Sequence, residues 1–175
     1  MLVFLIGLSG SGKSYWARQL ADAWNWQRLD MDEMIVARSS KSIVQLFEEK
    51  GETYFRELEH QLLKDIIQNS SDKKIIIATG GGMPCFHDNI EWMNKHGLVI
   101  YLQAQPTLLS QRLLHANDRP LLAAASALEL EEKFASMLAS RKKIYEQAPV
   151  KIDAATATTF TFAQALSAYE SSAPK

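Results

Sequence analysis

A chain of 175 residues, 47% hydrophobic and 22% charged, has the length and balance of one globular domain able to bury its own core. The formal net charge of −1 argues against a protein that coats nucleic acid or an anionic membrane, although a few arginines could still converge in a local pocket. A single cysteine, Cys85, allows neither an intrachain disulfide nor a cysteine metal site, and it points to a reducing, cytoplasmic setting where the thiol is a small buried hydrophobe.

The first apolar run, Leu2–Ile6, stops at Gly7. It is too short for a membrane span or a signal-peptide core, and it reads as a buried strand. Gly7-Leu8-Ser9-Gly10-Ser11-Gly12-Lys13-Ser14 follows directly and matches G-x-x-x-x-G-K-[ST] at every fixed position. A triphosphate needs several backbone N–H donors aimed at one point, and a glycine-rich loop running into a helix supplies them. Gly10, Ser11, Gly12 and Tyr15 belong to that cradle, Lys13 reaches the β- and γ-phosphates of ATP, and the Ser14 hydroxyl is a ligand for Mg²⁺.

A weaker run, Trp26–Leu29, leads into Asp30-Met31-Asp32. Ligands of open α/β sheets collect at the carboxyl ends of strands, and residues i and i+2 of an extended chain point the same way. The two acids therefore read as a magnesium ligand and a general base. The alternative is the N-cap of a helix beginning near Glu33. Thr53–Asn69 has helical periodicity, with Phe55, Leu58, Leu62, Leu63, Ile66 and Ile67 along one side, and Gly51 and Gly97 stand where helices should stop.

Lys74–Ala78 is the third buried strand, and Leu98–Leu102 and Pro149–Ile152 complete the set. Strands alternating with helices predict a three-layer α/β/α fold with a parallel five-stranded sheet, as one P-loop domain over 1–175. The third strand ends in Thr79-Gly80-Gly81-Gly82 rather than in an acid, so the metal carboxylate must come from elsewhere, which favours Asp30. The histidines at 60, 87, 96 and 115 lack the spacing of a zinc site, no serine sits in a G-x-S-x-G elbow, and the tail Ser171–Lys175 is expected to fray.

Arg56, Arg112, Arg119 and Arg141 each read singly as solvated charges. With their neighbours, the chain from Leu2 to about Ala148 resembles the shikimate kinases. The P-loop, Asp30-x-Asp32, Gly51-Glu52-x-x-Phe55-Arg56-x-x-Glu59, Gly80–Gly82, Arg119-Pro120-Leu121-Leu122 and Arg141 occur in that family's order. The resemblance implies transfer of the γ-phosphoryl group of ATP to the 3-hydroxyl of shikimate, by a monomer. It implies that Asp30 helps hold magnesium and that Asp32 bonds the ring hydroxyls as base. Arg56 and Arg141 grip the carboxylate, and Gly80–Gly82 line the ring pocket. Arg119 closes on the phosphates with a lid over about 115–127, and Arg112 lies against the adenine. The chain departs from the family at Ser9, at Tyr15 to Ala17, at Ser40, and in lacking a proline after Arg141. A gluconate-type kinase would differ at Arg56, Gly80–Gly82 and Arg141, and a non-catalytic nucleotide-binding module would be free to lose Lys13 or Asp32.

Overall fold

The structure, a computed structural model, describes residues 1–114 and 126–172. Strand β1 (Leu2–Ile6) leads through the glycine loop into helix α1 (Lys13–Trp24); β2 (Gln27–Asp30) runs into α2 (Met31–Ser39) and α3 (Ile43–Gln68). Then come β3 (Ile75–Ala78), a turn of 3₁₀ helix (Met83–Cys85), α4 (Asn89–His96), β4 (Leu98–Gln103), α5 (Pro106–Leu114), α6 (Ala127–Tyr145), β5 (Val150–Asp153) and α7 (Thr159–Ser172).

The five strands form one sheet in the order β2-β3-β1-β4-β5, and every pairing is parallel. The expected fold class is the observed one. Strands β1, β3 and most of β4 are buried, which explains their continuous apolar runs. The edge strands β2 and β5 are covered only in part, and their sequences are correspondingly mixed. Leu5, Ala78 and Asp30 share one row across β1, β3 and β2. Past that row lie the P-loop, the glycine triplet and Asp32, so parallel pairing brings these three to one edge.

The long helix corrects the sequence reading. It begins at Ile43 rather than Thr53, because Ser42 and Gln45 form a reciprocal capping box and Leu46 is buried beneath the added turns. Gly51 interrupts the helix as a kink, at φ 79° and ψ 172°, a conformation open to glycine. Ser171 and Ser172, expected to fray, are the last residues of α7. The predicted lid falls outside the described residues except for Ser126 and Ala127, which cap and open α6. Arg119 also lies outside them. No helix among the described residues is long and apolar enough to cross a membrane.

Gly97 ends α4, its N–H donating to Met93 O at 3.0 Å. Its α-carbon lies against the first strand, where a Cβ would stand 2.4 Å from Leu2 O. Backbone cannot retreat as a side chain can, so Gly97→Ala carries an overpacking cost of roughly 1–3 kcal/mol. In a thermal melt it should lower Tm by about 3 to 10 °C; an unchanged Tm would contradict the close approach.

Candidate active site

Positive φ at Gly7, Gly10 and Gly12 (138°, 85° and 100°) wraps the loop after β1. Gly7 also passes so near β4 that a Cβ there would lie 2.7 Å from Leu102 O. The first turn of α1 carries no acid and no side-chain cap, which leaves its amides to an anion. Buried Lys13 stretches back over the loop, its Nζ donating to Gly7 O and Leu8 O at 2.9 Å each. Ser14 and Tyr15 are exposed. Ser11 serves the loop itself: its N–H donates to Leu8 O at 3.1 Å, and its buried Oγ has no hydrogen-bond partner among the described residues. Arg112 bonds Gly10 O and Ala154 O, both at 3.1 Å, tying the P-loop to the turn after β5.

Asp30 fulfils the cap reading. Its Oδ1 accepts from Asp32 N at 3.1 Å and Glu33 N at 3.4 Å, so α2 starts at Met31. Asp32 is therefore in the first helical turn and not, as expected, on an extended strand. The carboxylate pair is offset by a helix start rather than aligned by a pleat. Asp32 Oδ1 nonetheless faces the glycine triplet, 3.1 Å from where a Cβ on Gly80 would be.

None of the triplet has positive φ; each glycine is there because something comes close. A Cβ on Gly80 would stand 2.4 Å from Glu59 Oε1, one on Gly81 3.1 Å from Ser9 N, and one on Gly82 2.7 Å from Arg56 Nη2. The pocket is thus built from carboxylates, P-loop backbone and a guanidinium around three bare α-carbons.

Arg56 projects into it from α3 at 8% exposure. Its Nη1 bonds Glu59 Oε2 at 2.7 Å, while its Nε and Nη2 bond Glu52 Oε1 at 3.0 and 2.7 Å. The ring of Phe86 lies 4.5 Å from its Cζ. Arg141, half-buried on α6, has no carboxylate partner among the described residues. Its charge acts on Glu59, Cys85 and Tyr145, and that of Arg56 acts on the first two as well. Burial pushes the half-buried Cys85 thiol up, against the pull of both guanidinium groups.

Two residues were given no role from sequence. Glu59 is 1% exposed, and its Oε1 has no hydrogen-bond partner among the described residues; the signal was its i, i+3 spacing from Arg56. Tyr145 is fully buried, and its hydroxyl donates to Gly81 O, four residues from Arg141 on the same helix face.

The shikimate kinase family model matches residues 9–170. The chain belongs to that family. It is 37% identical over 153 residues to a shikimate kinase of Parabacteroides distasonis, covering 87% of each chain. To one of Phocaeicola vulgatus it is 38% identical over 147 residues, covering 83% of this chain and 82% of that one. Among solved structures, the shikimate kinase of Bacteroides thetaiotaomicron superposes with a TM-score of 0.85 at 32% identity, over 98% of this chain and 97% of the other. The shikimate kinase of Acinetobacter baumannii, in complex with shikimate, gives 0.82 at 30% identity, over 99% and 95%.

Burial raises the Glu59 carboxyl from 4.5 to about 7, and nearby Asp32 adds to the rise, against the pull of Arg56 and Arg141. The guanidinium stays charged, so the carboxyl is the member of the pair that titrates. The folded state then holds this proton more tightly than the unfolded chain. Its stabilising contribution is full below about pH 4.5 and is lost as pH rises through 7. In melts from pH 5 to pH 8, the Tm of Glu59→Gln minus that of wild type should therefore increase. A constant or falling difference would mean that Arg56 keeps Glu59 ionised throughout.

Proposed function

We propose that this chain is a shikimate kinase, transferring the γ-phosphoryl group of ATP to the 3-hydroxyl of shikimate and releasing shikimate 3-phosphate and ADP, on the route to chorismate and the aromatic amino acids. The observation that carries the acceptor assignment is that Arg56, against Gly82, and Arg141 both act on Glu59, which lies with Asp32 beside Gly80. A small polyhydroxy acid needs cationic forks for its carboxylate, an acceptor for its hydroxyls, and bare backbone where the ring lies.

In this reading the amides of Gly10 and Gly12 and the start of α1 cradle the phosphates, and Lys13 neutralises charge as it grows on the transferring group. Tyr15 and Arg112 border the adenine. Asp32 accepts the proton of the 3-hydroxyl as its oxygen bonds to the γ-phosphorus, and the bond to the β-phosphate oxygen breaks. Arg119, beyond the described residues, comes in with a lid over 115–127 that keeps water from the phosphates.

Magnesium fits the donors present. Ser14 offers an exposed hydroxyl, and Asp30 has its second carboxylate oxygen beyond the one used in capping. A hard cation that keeps most of its waters and takes phosphate oxygens needs few protein ligands; bound there, it would draw charge from the phosphates. We place the enzyme in the cytoplasm, as one domain acting as a monomer without nucleic acid or membrane partners.

A charge-assisted contact of this type is worth roughly 1.5–3 kcal/mol. Arg56→Ala or Arg141→Ala should therefore raise the KM for shikimate by about tenfold to a hundredfold, at ~1.4 kcal/mol per decade, with the KM for ATP nearly unchanged. Arg→Lys should recover part of the loss, since an ammonium keeps the charge without the planar fork. Steady-state kinetics with shikimate and its methyl ester give the test. Wild type should strongly prefer the acid, and both alanine variants should lose that preference; equal use of acid and ester by wild type would remove the carboxylate from the account.

A further inference from the structure

Arg56 already carries two carboxylates, which take three of its five N–H groups. A guanidinium grips a carboxylate through two parallel N–H groups, taken from its Nε–Nη2 side or its Nη1–Nη2 end. Here Nη1 is held by Glu59 at 2.7 Å, and the Nε–Nη2 side by one oxygen of Glu52 at 3.0 and 2.7 Å. Its flat faces are enclosed as well, by the α-carbon of Gly82, where a Cβ would stand 2.8 Å from Cζ, and by the aromatic rings of Phe86, Phe55 and Phe47. An incoming acid therefore competes with these two glutamates for the guanidinium, and it meets a fully taken pair of parallel donors at the Nε–Nη2 side.

The two differ sharply in what release would cost. Glu59 has a side-chain exposure of 1%, and its other oxygen has no hydrogen-bond partner among the described residues. Freeing it would leave a buried carboxyl without its Arg56 donor, either stranded as an anion or made to take up a proton, a large penalty in either form. Glu52 has a side-chain exposure of 56% and sits in the first turn after the Gly51 kink. Its carboxylate can turn into water with little loss, as exposed ion pairs generally can.

We propose that Glu52 is a specificity-determining residue that acts as an exchangeable stand-in for the substrate's carboxylate: it holds the Nε–Nη2 edge of Arg56 and yields that edge to shikimate. Binding is then a swap of one carboxylate for another, with Glu59 as the fixed partner that keeps Arg56 in place. A neutral analogue brings nothing able to displace Glu52, so the glutamate sharpens the preference for acids by competing with everything else. This inference rests on the reading that Arg56 receives the substrate carboxylate.

Calorimetric titration of shikimate into wild type, Glu52→Gln and Glu52→Ala tests it, with Glu52→Gln repeated in an Arg56→Ala background at millimolar shikimate. Removing an exposed competitor should tighten shikimate binding by about twofold to fivefold in both single variants. The gain should vanish when Arg56 is absent, because the coupling runs through that guanidinium. Unchanged or weaker binding in the single variants would overturn the exchange, showing Glu52 to be a brace for Arg56. An equal gain with and without Arg56 would also overturn it, leaving only a general effect of removing a negative charge. The underlying reading fails separately: if Arg56→Ala kept the wild-type preference for acid over methyl ester, Arg56 would not hold the carboxylate, whatever Glu52 does.

Discussion

A guanidinium and a carboxylate lie buried together at the carboxyl edge of the sheet, Arg56 against Glu59 at 2.7 Å. Desolvating both costs more than their attraction is expected to return, so such pairs are poor devices for stability. Much of the surroundings can be read as accommodation of this one pair. Gly80 and Gly82 are bare because Glu59 and Arg56 stand where a Cβ would be. Three phenylalanine rings surround the guanidinium. The kink at Gly51 starts a new helical segment at Glu52, one turn before Arg56. A buried fork held this firmly loses little freedom when it meets a planar anion, which is what recognition of a small acid requires.

In the proposed reading, the nucleotide half and the acceptor half of the site share a wall. Gly81 packs on the P-loop at Ser9 N, and its carbonyl takes the Tyr145 hydroxyl from the helix that also bears Arg141. Phosphoryl transfer asks little covalent chemistry of a protein and much positioning. A backbone contact between phosphate loop and acceptor pocket fixes their separation without relying on any mobile side chain.

The P-loop was legible from sequence because its chemistry lies in consecutive backbone positions, and β1, β3 and β4 because a strand covered on both faces must be apolar throughout. The start of α3 was missed although Ser42 and Gln45 spell a capping box, since Gly51 looked like a boundary and proved to be a bend. Asp32 faces the glycine triplet from a helical turn capped by Asp30, whereas the i, i+2 spacing reads as an extended strand. Glu59 and Tyr145 were visible as neighbours of arginines, but a buried carboxyl with a raised pKa and a hydroxyl braced on a distant glycine exist only once residues far apart in sequence have packed. The part of the site made by tertiary contact was therefore the part that sequence spacing could not supply.

The central claim is that this pocket selects shikimate as the phosphoryl acceptor. Coupled ADP release, measured with ATP and magnesium across shikimate, quinate, gluconate and nucleoside monophosphates, tests it most directly. ADP should appear at a high rate with shikimate alone, with little release when no acceptor is added. Equal or faster turnover with another acceptor, or ADP release indifferent to shikimate, would contradict the account.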